Sequence, residues 1–303
     1  MSTMAVVVGY DASETGRKAL EWAVREAVRR GAPLRILYAC GIPLPADPVA
    51  LPYPTDSEDI ARAVARDLLT AGVALAKAIA PELDIDTVLE TLPAAAALVD
   101  QGRSADVLVV GARGMDAFGA LVLGSTAMQV ATHASCPTVV VPSDGRGRSW
   151  GPEAGRVVVG VDSSPSSDPA IAFAFEEAGL LGVGLTAVHA WEAPFFDTPG
   201  GKGGAVPRHV LQDDLAAVVV QERDSLDVSL TGWQGKYPDV DVRHVIVHQK
   251  AAAALVGASA GAELLVVGSR GRGGFASLLL GSVSYRVLRH AHCPTAVVRP
   301  SRG

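Results

Sequence analysis

Gly268-Ser269-Arg270-Gly271, followed after nine residues by Gly281-Ser282-Val283-Ser284, is the stretch on which the reading of this chain turns. The apolar run 264–267 leads into it, and an apolar pattern of helical spacing, 283–288, leads out. A strand, a glycine-rich loop and a helix start make an anion site. The first N–H groups of a helix have no partner within it, and its dipole is positive at that end. Gly268 and Gly271 let the backbone approach a ligand, Gly281 clears space at the helix start, and Ser282 and Ser284 offer hydroxyls to phosphate oxygens. The same stretch stands earlier, as Gly111-Ala112-Arg113-Gly114, nine residues, then Gly124-Ser125-Thr126. One Gly-x-x-Gly says little. Two with equal spacing, each closing an apolar run, mark a repeated unit.

Working outward, the repeat takes in most of the chain. A β-branched run at 5–8 ends in Gly9-Tyr10-Asp11-Ala12-Ser13, and one at 157–159 ends in Gly160-Val161-Asp162-Ser163-Ser164. Ser13 and Ser164 are expected to cap the helices that follow. Leu20, Ala23, Val24 and Ala27 recur at helical spacing, with Gly31 closing the helix, and Ile171, Ala174, Phe175 and Ala178 take the same places in the second copy. Further strands are expected at 34–40, 85–89, 107–110 and 138–141, and again at 185–191, 242–247, 264–267 and 294–298. Helices are expected at 57–80, from Pro93, and at 125–133, then at 210–232 and 251–260. The Pro-rich stretches 41–57 and 192–207 read as loops. The stretch 144–155, made of Gly, Ser, Arg and Pro without apolar pattern, reads as a linker between domains 1–143 and 156–303.

Strands alternating with helices imply an α/β fold: two tandem doubly wound domains, each with a parallel sheet covered on both faces. In such sheets a ligand sits beyond the strand C-termini where the winding reverses. Two glycine-marked strand ends fit that place, the first (Gly9, Gly160) and the fourth (Gly111, Gly268).

Composition excludes several functions. With 49% apolar residues but only 5% aromatic, the cores are built from Ala, Val and Leu, which disfavours an aromatic-lined carbohydrate or lipid pocket. A formal charge of −6 argues against a nucleic-acid footprint, which needs a basic face. No apolar run approaches the roughly 20 residues of a membrane span. The first residues read as a strand and not as a signal peptide, so the chain is expected to be cytoplasmic. Cys40, Cys136 and Cys293 form no C-x-x-C, and Cys136 and Cys293 each precede a proline, as small buried residues do at the start of a strand.

The spacing is not that of Walker A, since no Gly-Lys-Ser/Thr follows, nor of the G-x-G-x-x-G dinucleotide fingerprint after the first strand. Arg113 and Arg270 either pair with phosphate or ribose oxygens or brace the loop at the surface. Asp11 and Asp162 either accept from a ribose hydroxyl or base amine or serve as turn residues, and their recurrence favours the ligand role. His290, His292 and Cys293 are adjacent enough to suggest a metal cluster. The first copy keeps only His133 and Cys136, so the trio reads as structural. His189 reads as a packing residue, and no catalytic constellation can be assembled.

Gly-x-x-Gly, nine residues, Gly-Ser/Thr, with a first strand ending in Gly-x-Asp, resembles the universal stress protein family, and specifically its tandem ATP-binding branch. The resemblance implies five parallel strands in the order 3-2-1-4-5 per domain, with ATP, accompanied by Mg²⁺, held between the first and fourth strands. Its pocket positions map here to Gly9, Asp11, Gly111, Ala112, Arg113, Gly114, Gly124, Ser125 and Thr126. In the second copy they map to Gly160, Asp162, Gly268, Ser269, Arg270, Gly271, Gly281, Ser282, Val283 and Ser284. Backbone at Ala39 and Ala190 is implied to cradle the adenine. Pairing of domains and subunits into a homodimer through the fifth strands is implied too. So is a role as a nucleotide-dependent regulator in stress or dormancy, with a slow ATPase or phosphoryl-transfer enzyme and a nucleotide-independent scaffold as the alternatives. One departure stands out: Ala127 takes the place of Ser284. The first pocket thereby lacks a hydroxyl and is expected to be the weaker, by on the order of 1 kcal/mol.

Overall fold

Uninterrupted runs of β-branched residues make strands that are covered on both faces. Val6, Val7 and Val8, Val107, Leu108 and Val109, and Val157, Val158 and Val159 are all fully buried. The computed structural model describes residues 4–41, 55–114, 123–143, 151–192, 208–271 and 280–300. The expected loops 41–57 and 192–207, most of the linker, and the nine-residue spacers of both glycine stretches lie largely outside the described residues. The chain divides into two units, 1–147 with 294–301, and 148–293 with 302–303.

The first unit contains β1 (Ala5–Gly9), α1 (Glu14–Arg30), β2 (Leu34–Ala39), α2 (Thr55–Ile79), β3 (Ile85–Glu90), α3 (Ala94–Gln101), β4 (Ala105–Gly111), α4 (Ser125–His133) and β5 (Thr138–Val141). Its strands stand in the order β3-β2-β1-β4-β5, all parallel, with Gly9 opposite Leu37 and Val8 opposite Val109. The second unit contains β6 (Val157–Gly160), α5 (Asp168–Leu181), β7 (Leu185–Trp191), α6 (Arg208–Lys236), β8 (Val242–His248), α7 (Ala251–Ala258), β9 (Leu264–Gly268) and α8 (Ser282–His290). Its parallel order β8-β7-β6-β9 repeats that of the first four strands. The remaining strand, β10 (Thr295–Val298), belongs to the first unit, where it runs antiparallel to β5 with Ala296 opposite Val139. β5 therefore has β4 on one side and β10 on the other. The two strands through which pairing was expected, Thr138–Val141 and Thr295–Val298, are β5 and β10, and within the one chain they pair with each other.

The two copies start their first helix differently. Ser13 caps α1 as expected: its Oγ accepts from Gly16 N–H at 3.0 Å, and Gly31 closes the helix in the left-handed conformation at φ 60°. Ser164 caps no α-helix. A 3₁₀ turn, Pro165–Ser167, intervenes and α5 begins only at Asp168. The cause is Pro169. An α-helical turn opened at Pro165 would need the N–H of residue 169 for the Pro165 carbonyl, and proline has none. The amide of Asp168 takes that carbonyl instead, which tightens the turn to 3₁₀ geometry.

Among the described residues, no helix is long and apolar enough to cross a membrane.

Candidate functional site

In each unit the first and fourth strands lie side by side, and the chain leaves them in opposite directions across the sheet. The crevice beyond their C-terminal ends is the place where such sheets bind ligands. The first unit has a cavity of about 600 Å³ there. Gly9, Asp11, Ala39, Gly111, Arg113, Gly114, Gly124, Ser125 and Thr126 all line it. The second unit has one of about 430 Å³, lined by Gly160, Asp162, Ala190, Gly268, Arg270, Gly271, Gly281, Ser282, Val283 and Ser284.

Two of the expected residues do not line these walls, Ala112 and Ser269. Both serve to close the loop. The Ala112 carbonyl accepts from Gly124 N–H at 2.8 Å and the Ser269 carbonyl accepts from Gly281 N–H at 2.7 Å. The Ser269 side chain is buried, and its hydroxyl has no partner among the described residues.

The loop delivers the chain to a bare helix start. Gly124 (φ −63°, ψ 150°) and Gly281 (φ −74°, ψ 156°) are extended, and neither α4 nor α8 has a side-chain cap. The N–H groups of residues 125–127 and 282–284 are thus available to an anion at the cavity wall, where the helix dipole adds its positive end.

The aspartates line the same cavities. Asp11 Oδ1 accepts from Ser13 N–H at 3.0 Å. A Cβ placed on Gly114 would come within 3.0 Å of Asp11 Oδ2, and one on Gly271 within 2.8 Å of Asp162 Oδ2. Glycine is required at both places because a carboxylate approaches the backbone there. The residues after the aspartates, Ala12 (φ 60°) and Ser163 (φ 56°), hold the left-handed conformation without being glycine. That strain of roughly 1 kcal/mol or more recurs in both copies, each time in the residue directly after the aspartate. Thr15 Oγ1 donates to the Arg113 carbonyl, tying the first turn of α1 to the glycine loop. Arg113 is half-buried, whereas Arg270 is exposed.

Residue patterns alone did not point to the apolar floor. Leu98, Val110, Leu37 and Ala94 line the first cavity, and Leu255, Val267, Val188 and Ala251 take the equivalent places in the second. The signal was present as the repeated Ala-Ala-Ala-Ala-Leu-Val at 94–99 and 251–256. A Cβ on Gly9 would stand 3.0 Å from Leu98 Cδ1, and one on Gly160 2.9 Å from Leu255 Cδ1, so the strand-ending glycines make room for these leucines. Tyr10, Tyr38 and Cys40 also line the first cavity, and Ser167 the second. Burial, then Cys40 and Asp11 nearby, push the Tyr38 phenol above its ordinary 10.0, so it stays a neutral hydroxyl.

Ser284 differs from its expected role. Its Oγ donates to the Gly268 carbonyl at 2.6 Å, so its one proton goes to the protein backbone and not to a phosphate oxygen. The second pocket therefore does not gain the hydroxyl donor that Ala127 was expected to deny the first.

Outside the cavities, His189 does more than pack. It is 2% exposed, with Nδ1 2.8 Å from the Val161 carbonyl and Nε2 2.9 Å from Glu222 Oε2, and so bridges the turn after β6 to α6. Cys136 and Cys293 are buried, and among the described residues no group of His, Cys, Asp and Glu has the makings of a metal site.

Comparison with known proteins agrees with this architecture. The model of the universal stress protein family matches residues 3–142 and again 153–299. A universal stress protein of Mycolicibacterium smegmatis is 35% identical over 299 residues, 97% of each chain. One of Mycobacterium tuberculosis is 36% identical over 306 residues, 98% of this chain and 97% of that one. The crystal structure of a universal stress protein from Archaeoglobus fulgidus superposes with a TM-score of 0.65 at 18% identity, over 98% of this chain and 97% of the other. Two copies of one α/β unit, each matched over nearly its full length, place this chain in the universal stress protein family.

Proposed function

We propose that each unit binds one nucleotide, ATP with Mg²⁺, and that occupancy of the two sites makes the chain a nucleotide-dependent regulator. The observation that carries this reading is the bare, glycine-led start of α4 and α8 at one end of a cavity whose floor is apolar. The two ends of a nucleotide ask for those two surfaces. The phosphates suit the N–H groups of 125–127 and 282–284 with the Ser125, Thr126 and Ser282 hydroxyls, and the flat base suits Leu98 and Val110, or Leu255 and Val267. Asp11 and Asp162, which line the same cavities, would accept from the ribose hydroxyls. A volume of 600 or 430 Å³ is that of a small-molecule pocket. Mg²⁺ would arrive on the triphosphate itself, since this ion is commonly held by phosphate oxygens and water with one or two carboxylates.

Hydrolysis needs a group that orients or deprotonates water beside the terminal phosphate. Among the described residues, the carboxylate that lines each cavity sits against the glycine loop and the turn after the first strand, which suits the ribose. A regulator that retains its ATP is the reading this favours over an ATPase.

Denaturing freshly purified protein and identifying the released nucleotide by chromatography and mass spectrometry tests it. ATP at one to two equivalents per chain, with no turnover of added ATP, is the expected result. Mainly ADP with steady turnover would make the chain an enzyme. No released nucleotide, and no uptake of added ATP and Mg²⁺, would leave a scaffold.

A further inference from the structure

His189 faces an acceptor on each side of its ring. Nδ1 lies 2.8 Å from the Val161 carbonyl, which can only accept, and Nε2 lies 2.9 Å from Glu222 Oε2 on α6. A neutral imidazole has one N–H and one lone pair, so one of these contacts would then set a lone pair against an oxygen. The arrangement calls for a second proton. A carboxylic acid is ordinarily stronger than an imidazolium, so that proton sits on the ring and both nitrogens donate.

The pair reaches the second cavity through the backbone. Val161 and Asp162 line that cavity, whereas His189 does not. Val161 is held to β7 twice: its N–H donates to the Val188 carbonyl at 3.0 Å, and its carbonyl accepts from His189. The first copy has the first of these bonds, Tyr10 N–H to the Leu37 carbonyl at 2.9 Å. It carries Tyr38 in the place of His189. Counted back from the helix ends (236 to 222, 79 to 65), buried Ala65 takes the place of Glu222. Other ionisable groups stand on the elements packed around β7. Asp227 of α6 lies 2.6 Å from His244 Nδ1 on β8, and His248 of β8 stacks on Trp191. Arg223 and Asp224 of α6 are exposed, Glu177 of α5 is buried, and α7 carries no charged residue. Among the described residues, the His189 ring has hydrogen bonds only to Val161 and Glu222.

We infer that His189 is a positioning residue of the second nucleotide site, and that this site, unlike the first, takes its ligand with a dependence on the protonation of the His189–Glu222 pair. This rests on the nucleotide reading. While the ring carries both protons, the turn bearing Val161 and Asp162 is tied through it to α6. Loss of one proton as pH rises sets two acceptors face to face, so the tie is whole in mild acid and lost in mild alkali. A hydrogen bond to a charged group corresponds to about tenfold in affinity.

Each site can be read alone in the full chain by placing a carboxylate at the other's helix start, where it repels phosphate. Ser125→Asp leaves the second site to be read, and Ser282→Asp the first. Calorimetric titration of both proteins with ATP and Mg²⁺ between about pH 6 and about pH 9 compares the sites across the same titration of ATP itself. The Ser125→Asp protein is expected to lose about tenfold more affinity over that range than the Ser282→Asp protein. Adding Glu222→Gln should remove this excess, because the amide donates an N–H to Nε2 and a neutral ring then satisfies both contacts. Equal pH dependence at the two sites, or an excess that survives Glu222→Gln, would overturn the inference while leaving nucleotide binding intact. Nitrogen NMR of the unliganded wild type reads the tie separately. Both ring nitrogens of His189 are expected to be protonated at about pH 6, and a neutral ring there overturns the inference whatever the calorimetry gives. Absence of ATP uptake by every protein at every pH, wild type included, would instead overturn the nucleotide reading.

Discussion

At the scale of single residues, contact distances separate glycines that look alike in sequence. A Cβ on Gly111 would lie 2.8 Å from the Thr15 carbonyl carbon, a backbone atom that cannot turn aside, whereas on Gly268 the nearest atom is Arg270 O at 3.1 Å. Gly111→Ala should therefore cost about 1–3 kcal/mol, the range for overpacking a close contact. Gly268→Ala should cost clearly less, and paired urea melts would show whether the two differ. The cysteines divide in the same manner. Burial pushes the Cys136 thiol from 9.0 to about 11 and Cys293 to about 12, while Cys40 lies partly exposed on the cavity wall. In the native protein, a thiol reagent at pH 8 should modify Cys40 alone and do so more slowly with ATP bound. Because the buried thiols are raised above their unfolded value, the stability they contribute is whole below pH 9. It is lost as pH rises through about 11 and 12. A stability profile flat across that alkaline range, or prompt labelling of Cys136, would contradict the burial.

The helix starts decide function at the scale of elements. Ser125 opens α4 on the cavity wall without a capping partner. Ser125→Asp should stabilise the empty protein by about 0.3–1 kcal/mol, since a negative charge suits a helix N-terminus. The same charge should repel phosphate and weaken nucleotide binding at the first site. A raised melting temperature together with lost affinity would distinguish an anion site from a merely structural loop. Most elements were legible because their periodicity is strong: α4, β5 and β7 run where the spacing put them, and Ser13 and Gly31 cap α1 as their chemistry dictates. The start of α5 was not legible by analogy with α1, because one missing N–H at Pro169 outweighs the matching Ser164. Leu98 and Leu255 escaped notice because an Ala-rich helix reads as core, and only the register of β1 and β6 shows that a glycine yields to each leucine. The role of Ser284 was misread for a related reason: a hydroxyl near a phosphate site can also bond to the loop itself.

For the whole molecule, duplication explains the shared plan. Each copy keeps the glycine loop, the aspartate and the leucine floor. The last strand has its own consequence. β10, with Thr295 through Val298 buried, covers the side of β5 away from β4. A chain ending at Cys293 would expose that row of backbone groups, and it should self-associate in light scattering where the full chain does not. The central claim, a nucleotide in each unit, is tested most directly by a crystal structure grown with saturating ATP and Mg²⁺. The account predicts triphosphate density against the N–H groups of 125–127 and of 282–284, with the base over Leu98 and Leu255. Solvent alone in both cavities, or nucleotide bound elsewhere on the chain, would contradict it.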